Sequence, residues 1–281
     1  MALSRVFVSG ASAVRRVGWA AATVFLLSTL VLSGTRGALG AFAVGAAIVV
    51  AHGLACLQGR ARLAAAGGVG LLGAAAVGLF VILSFPNPLN VRDMRLARRF
   101  AELFDVTSDS VKERILFYSV ASRMIAAHPA FGSGPGTFRL EFYPHVERLV
   151  ESDTGVGSLR MAAHLRGRIA RHAHNDYLET WCTTGTLGFG ALLLVLVTAV
   201  TRFSFHPPRS GAGVGSEAAL LRLNRSAFFA AGLALFLNAA FSFPLQIPDR
   251  AALAWLLLGL FFASDGLVRR LPAPTCANES A

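Results

Sequence analysis

The chain has 281 residues, 54% of them hydrophobic, and its mean hydropathy is +0.58. This is too apolar for a soluble domain, and the apolar residues form blocks long enough to cross a bilayer, so composition alone indicates an integral membrane protein. The formal net charge is +11, and Lys112 is the only lysine among 26 basic residues. Nucleic acid is not an expected partner, because membrane spans separate the basic residues. Arginine binds phosphate oxygens in a bidentate manner, which favours a phosphate-bearing partner.

Three apolar stretches in the first part of the chain predict membrane helices, at about residues 17–33, 38–57 and 63–85. A basic start followed by an apolar stretch is also typical of a signal peptide. The polar break at Gly34–Gly37 is very short, however, so the first two stretches are interpreted as a helical hairpin.

Residues 86–173 form one long hydrophilic segment. Within it, apolar residues recur at helical spacing from Ser110 to Ala127, which predicts an amphipathic helix that ends before Pro129. Residues 132–138 form a turn-rich loop, and residues 145–171 are interpreted as polar and flexible.

Three further spans are predicted at about residues 184–200, 227–243 and 251–267. The expected fold is therefore an all-α integral membrane protein with about six transmembrane helices and one long loop that contains an amphipathic helix. The predicted divisions are residues 1–85 and 177–268, each with three spans, the loop 86–176 between them, and a tail at 269–281.

The distribution of arginines predicts the orientation. With the N-terminus in the cytoplasm, the cytoplasmic loops and termini carry most of them, whereas the short outer links carry only Arg36 and Arg250. Both termini are then cytoplasmic, and the long loop lies on the periplasmic side because long loops translocate largely regardless of charge. The expected location is a bacterial inner membrane, with a periplasmic active face. No disulfide framework is expected from the three cysteines.

Polar residues are concentrated at 171–179, directly before the fourth span. His172 and His174 could be interfacial polar residues or part of a metal site with Asp176 and Glu179 as oxygen ligands. One of them could instead be a general base, since histidine titrates near neutral pH. Arg36 could be an interfacial anchor or an anion ligand, and Arg114 a solvated residue or a phosphate ligand. Asn175 could cap the following helix, and Gly185 and Gly188 could ease helix packing.

Four stretches, in order, resemble the family of O-antigen ligases and polymerases, which includes bacterial protein O-oligosaccharyltransferases. They are Ser33–Ala38, a segment from Glu113 to Phe138 with its His-Pro-x-x-Gly-x-Gly-x-Gly-x-Phe pattern, a segment from Ala173 to Gly188 with His-Asn-Asp-Tyr-Leu-Glu, and Phe243–Pro248. The resemblance covers about residues 20–265. Members of the family usually have almost twice as many spans, so this chain is expected to match the family's C-terminal half, either because Met1 lies inside a longer gene or because the protein is a short form.

The resemblance implies an enzyme that transfers a glycan from an undecaprenyl-pyrophosphate carrier to an acceptor hydroxyl on lipid A core, a polysaccharide or a protein. It implies no metal and no other cofactor. Arg36 and Arg114 match the family's arginines and would bind the pyrophosphate, and His174 matches its essential histidine and would activate the acceptor. Asn175 and Asp176 are second choices as orienting residues.

Arg123, Arg171 and His172 are further local candidates that the family pattern does not single out. The alternative function is a non-catalytic membrane subunit or a transporter component of a polysaccharide assembly or export system. A transporter would be expected to carry functional charges inside its spans. The predicted spans of this chain are nearly free of charged residues.

Overall fold

The structure is a computed structural model that describes residues 13–33, 35–55, 63, 66–68, 70, 109–152, 170–204 and 217–270. Within these residues the chain is helical and contains no strand. The helices are α1 (Ala13–Ser33), α2 (Arg36–Ala55), α3 (Asp109–Ala127), α4 (Phe138–Ser152), α5 (Asp176–Ser204), α6 (Glu217–Ala239) and α7 (Pro248–Arg270), and a short 3-10 helix at Pro244–Gln246 links the last two.

Four of these helices contain a stretch long and apolar enough to cross a membrane: Gly37–Leu54, Asp176–Phe203, Leu220–Ala239 and Pro248–Arg270. They correspond to the second, fourth, fifth and sixth predicted spans. The first predicted span lies on α1, where Ala21–Leu30 is a shorter apolar helix, and nearly all of the third lies outside the described residues. The protein is thus an all-α membrane protein.

The chain forms two compact units. Unit 1 consists of Met1–Phe104, Ala199–Ala234 and Trp255–Ala281, and unit 2 consists of Asp105–Thr198 and Leu235–Ala254.

The core of unit 2 is built by α3 and α4. Leu116, Val120 and Met124 recur at helical spacing on α3 and are buried, as the amphipathic pattern predicts. They pack with Phe138 and Phe142 of α4. Helix α3 ends directly before His128 and Pro129, where the pyrrolidine ring disfavours helical geometry in the preceding residue.

Helix α4 corrects the interpretation of residues 145–152 as a flexible segment. It continues through Pro144, which lies inside the helix and costs about 3 kcal/mol in a helix interior. Phe138, Phe142 and Val146 are spaced four residues apart and all are buried, so their burial offsets that cost. Thr137 precedes the helix, and its carbonyl accepts from the amide of Glu141 at 3.0 Å.

Unit 1 contains a buried charged cluster centred on Asp265 of α7. The carboxylate accepts from Arg225 Nε at 2.8 Å and from Arg269 Nε at 2.9 Å, and Arg202 Nη1 lies 3.7 Å away. Arg225 is 2% exposed and also donates through Nη2 to the carbonyl of Arg202 at 3.0 Å, in the last turn of α5. We call these four residues the Asp265 cluster.

The cluster corrects the interpretation of the spans as nearly free of charge, because Arg225 and Asp265 lie within the spans Leu220–Ala239 and Pro248–Arg270. The sequence places Arg225 in a cytoplasmic loop, since the predicted fifth span begins only at about residue 227. A charged pair remains stable inside a membrane helix bundle when both partners are hydrogen-bonded, and both are here.

Candidate active site around His174

The candidate site lies in unit 2, where an extended segment leads into α5. Asn175 precedes the helix, and its Oδ1 accepts from the amides of Tyr177 and Leu178 at 3.0 and 3.1 Å. Asn175 therefore caps the helix as the sequence suggests, because these amides have no partner inside the helix. Asp176 and Glu179 lie in the first turn, where negative charge suits the helix dipole.

His174 is held between two aromatic rings. Its imidazole stacks on Phe117 with centroids 5.6 Å apart and planes at 7°, and it meets Phe243 edge-on at 4.9 Å and 87°. Its backbone has φ of 55°, in the left-handed region that a residue with a side chain rarely adopts. Such a conformation costs about 1–3 kcal/mol and persists only where neighbouring contacts impose it.

The imidazole of His174 is half-buried, and within the described residues neither ring nitrogen has a hydrogen-bond partner. Burial lowers the pKa of His174 below its ordinary value of 6.5, and the positive charge of Arg114 lowers it further. Glu113 has the opposite, weaker effect. At pH 7 the ring is therefore neutral and has a lone pair that can accept a proton.

His172 is bound differently from His174. Its Nδ1 donates to Oε1 of Glu179 at 2.9 Å, and its ring stacks on Phe243 with centroids 4.7 Å apart and planes at 19°. The second oxygen of Glu179 accepts from the amide of Ala173 at 2.7 Å. His172 is thus part of the structure that supports His174.

Asp176 and Tyr177 connect the start of α5 to the chain between α6 and α7. Asp176 is fully buried, and its Oδ2 accepts from the amide of Leu245 at 2.7 Å. The Tyr177 hydroxyl donates to the carbonyl of Phe236 at 2.7 Å. The Pro244–Gln246 link and the His174 segment therefore belong to one hydrogen-bonded arrangement, in which Phe243 supplies the ring between the two histidines.

The two arginines expected to bind pyrophosphate lie in different units. Arg114 lies on α3 in unit 2, partly exposed and near enough for its charge to act on His174. Arg36 is the first residue of α2, in unit 1. Arg123 and Arg171 are exposed in unit 2. The role of each of these arginines stays a prediction.

Helix α5 is broken at Gly185, where φ is 70° and ψ is −175°. In an unbroken helix the amides of Thr186 and Leu187 would bond to carbonyls four residues earlier. Here they donate instead to the carbonyls of Pro129 and Ala130, at 2.9 and 3.3 Å. The loop after α3 therefore satisfies the two amides that the break releases.

The same loop satisfies the two carbonyls that the break releases. Cys182 accepts from the amide of Ser133 at 3.0 Å, and Thr183 accepts from the amide of Gly134 at 2.9 Å. Buried backbone groups are costly without partners, so the loop and the break depend on each other. The loop at residues 128–137, here called the His-Pro loop, and the stretch Gly185–Gly188 therefore form one structural element, although they are separate in the sequence.

Two glycines allow the close approach of these backbones. A Cβ at Gly132 would collide with the backbone of Thr183, and a Cβ at Gly185 would collide with the backbone of Ala130. Both residues have positive φ, of 71° and 70°. Gly185 is therefore required by the break itself and does more than ease helix packing, whereas a Cβ at Gly188 would meet the side chain of Thr184.

The sequence does not predict the contacts of Phe117 and Phe243 with His174. Glu179, which the sequence allows as an oxygen ligand of a metal, is bound here to His172 and Ala173. Phe117 is indistinguishable from a core residue of α3, and it is indeed buried. The residues that bond to Glu179 lie six and seven positions earlier in the chain, a separation that no helical or strand periodicity predicts. Among the described residues, no group of three or more histidine, cysteine, aspartate or glutamate side chains could hold a metal ion.

In the comparison with known protein families, residues 21–193 match the family described as O-antigen ligase. The matched range contains Arg36, the His-Pro loop, the His174 segment and the break at Gly185. It lies in the N-terminal part of this chain rather than in a C-terminal half. It ends before Phe243–Pro248, so the resemblance expected beyond residue 193 stays a prediction. Comparison with curated proteins and with solved structures gives no match. Because the family match covers more than half of the 281 residues, the chain belongs to the O-antigen ligase family.

Proposed function

We propose that the protein is a membrane glycosyltransferase that moves a glycan from undecaprenyl pyrophosphate to an acceptor hydroxyl. The family supplies the reaction class, and four apolar helices supply the membrane setting that a polyprenyl donor requires. The acceptor is a hydroxyl of lipid A core, of a polysaccharide or of a protein. The reaction takes place on the periplasmic face of a bacterial inner membrane.

In the proposed reaction, the acceptor oxygen forms a bond to the anomeric carbon of the glycan while the bond from that carbon to the pyrophosphate oxygen breaks. His174 accepts the proton of the acceptor hydroxyl, and the electron pair of the broken bond leaves with the undecaprenyl pyrophosphate. Arg114 and Arg36 bind the pyrophosphate and stabilise the negative charge that develops on it. The step needs no external oxidant, reductant or nucleotide.

One observation carries the assignment of the base. Within the described part of unit 2, the ring of His174 is held by aromatic contacts alone, so both of its nitrogens are available to a substrate. The other half-buried or buried histidines there are engaged: His172 donates to Glu179, and His145 donates to the carbonyl of Glu141 at 2.9 Å. A positioned histidine base contributes about 10²–10⁴-fold to a rate.

The alternative, a non-catalytic subunit or transporter component, has one observation in its favour, the Arg225–Asp265 pair inside the spans. Arg225 and Asp265 are hydrogen-bonded to each other, which is typical of a structural ion pair rather than of charges that bind a transported substrate. The transferase is therefore the better-supported function.

The test is glycan transfer by His174→Ala, Arg114→Ala and Arg36→Ala in vesicles that contain a defined undecaprenyl-pyrophosphate glycan. A transferase should lose turnover with His174→Ala and lose donor binding with either arginine variant. Unchanged transfer with His174→Ala and Arg36→Ala, in correctly folded protein, would contradict the catalytic assignment and favour the alternative.

A further inference from the structure

Glu179 lies in the first turn of α5 and is 2% exposed. Both of its carboxylate oxygens are used: Oε1 accepts from His172 Nδ1 at 2.9 Å, and Oε2 accepts from the amide of Ala173 at 2.7 Å. A buried carboxylate is costly unless hydrogen bonds compensate its desolvation. The two partners that compensate it are the two residues immediately before His174.

His174 is therefore fixed from both sides along the chain. On its N-terminal side, Glu179 holds His172 and Ala173, and on its C-terminal side Asn175 caps the same helix turn that carries Glu179. The residue between these two anchors has φ of 55°, a conformation that needs such support.

Phe243 connects the two histidines a second time. Its ring stacks on His172 at 4.7 Å and meets His174 edge-on at 4.9 Å. A change in the position of His172 therefore reaches His174 through the backbone and through the shared aromatic contact.

We propose that Glu179 is a positioning residue that holds the imidazole of His174 in its reactive orientation, acting through His172 and Ala173. The inference rests on the proposed function of His174 and adds a residue to it. Glu179 does not act on substrate, because both of its oxygens are occupied by the chain itself. Displacement of a reacting group by about 1 Å costs about 10²-fold in rate, so loss of the two hydrogen bonds should be visible in turnover.

The experiment compares Glu179→Ala and Glu179→Gln with the matched control Glu147→Ala, which removes an exposed glutamate of α4 in the same unit. Each variant is purified in detergent, checked for monodispersity, and assayed for glycan transfer per folded molecule. Glu179→Ala should lower kcat about 10²-fold with little change in the KM for the donor. Glu179→Gln keeps an acceptor for the Ala173 amide and should lose much less, and Glu147→Ala should behave as wild type.

A second variant keeps the test informative if Glu179→Ala does not fold. His172→Phe preserves an aromatic ring against Phe243 while it removes the bond to Glu179. It should lower kcat by about 10-fold, again without a matching rise in KM. Wild-type kcat in a folded His172→Phe protein would contradict the inference.

A double-mutant cycle with His174→Ala separates positioning from a general structural role. If Glu179 acts through His174, adding Glu179→Ala to His174→Ala should leave the residual rate unchanged. A further fall of the same 10²-fold size would overturn the inference, because Glu179 would then act independently of the base. Wild-type transfer by Glu179→Ala beside an inactive His174→Ala would overturn this inference alone, whereas wild-type transfer by His174→Ala would overturn the proposed function together with it.

Discussion

The Asp265 cluster in unit 1 and the His174 site in unit 2 both place polar groups among apolar helices, but they do so in opposite ways. Around Asp265, the buried charges are bound to each other and to a helix-end carbonyl. Around His174, Glu179 is bound to His172 and to the amide of Ala173, while both nitrogens of the His174 imidazole have no hydrogen-bond partner within the described residues. A polar cluster whose members are all paired stabilises structure, and one with a supported but unpaired member is suited to chemistry.

The largest effect on stability is expected from Asp265→Ala. Removing the carboxylate leaves the buried Arg225 without its charged partner, which should lower the free energy of unfolding by about 3–5 kcal/mol. Thermal unfolding in detergent measures the loss. Asp249→Ala, at an exposed site in the first turn of the same helix, is the control and should have a much smaller effect.

Measuring glycan transfer by the folded fraction of Asp265→Ala shows whether the Asp265 cluster differs from the His174 site in function as well as in structure. Turnover per folded molecule should stay near wild type, because the cluster has a structural role. A turnover defect that exceeds the loss of folded protein would show that the cluster takes part in the reaction.

The next largest loss of stability is expected where the loop after α3 is hydrogen-bonded to the break in α5. Alanine at Gly132 or at Gly136 costs about 1–2 kcal/mol because the backbone there is left-handed, with φ of 71° and 75°. Only at Gly132 does the added Cβ also collide with the backbone of Thr183, whereas nothing lies within 4 Å of a Cβ at Gly136. Gly132→Ala should therefore destabilise the protein more than Gly136→Ala in denaturation experiments. Equal losses would mean that the loop is not held against α5.

A smaller effect is expected in the pH dependence of Arg114→Gln. Because the charge of Arg114 lowers the pKa of His174, its removal should raise that pKa towards 6.5. More of the imidazole is then protonated in mildly acidic solution, so the acidic limb of the kcat/KM profile should move to higher pH. Arg148→Gln, at an exposed arginine of α4, is the control and should leave the limb in place. An unmoved limb in Arg114→Gln would contradict the coupling.

The smallest effect is expected from Arg202→Ala, at the edge of the Asp265 cluster. Its guanidinium is 47% exposed and lies 3.7 Å from the carboxylate, so solvent screens the pair and the loss should not exceed about 1 kcal/mol. If Arg202→Ala lowered the free energy of unfolding as much as Asp265→Ala, the exposed Arg202 rather than the buried Arg225 would be the main stabilising partner of Asp265.

Hydrophobic periodicity predicts much of the fold. The spans of α2, α5, α6 and α7 and the amphipathic helix α3 are visible because long apolar blocks and helical spacing are properties of a single segment. Helix α4 is missed because Pro144 signals a helix end, while the burial that outweighs it depends on α3. The early start of α6 is missed because Arg225 resembles a loop residue until Asp265 is placed beside it.

The candidate site is predictable only in part for a similar reason. His174, Asn175 and Arg114 stand out through residue type and family resemblance, and the capping role of Asn175 is confirmed. The exchange of hydrogen bonds at Gly185 and the contacts of Glu179 are not readable from the sequence, because each depends on backbone geometry at two separate positions. Left-handed φ at a histidine is likewise a property that the residue type does not announce.

Single-turnover glycan transfer can show whether His174 accepts the proton of the acceptor hydroxyl. Vesicles that contain His174→Ala or the exposed-histidine control His128→Ala would be loaded with an undecaprenyl-pyrophosphate glycan and mixed with acceptor. His174→Ala should lower the rate of the transfer step by about 10²–10⁴-fold and remove the acidic limb of its pH–rate profile, while His128→Ala should retain both the rate and the limb. A folded His174→Ala protein that transfers glycan at the control rate, with the acidic limb intact, would mean that His174 is not the base.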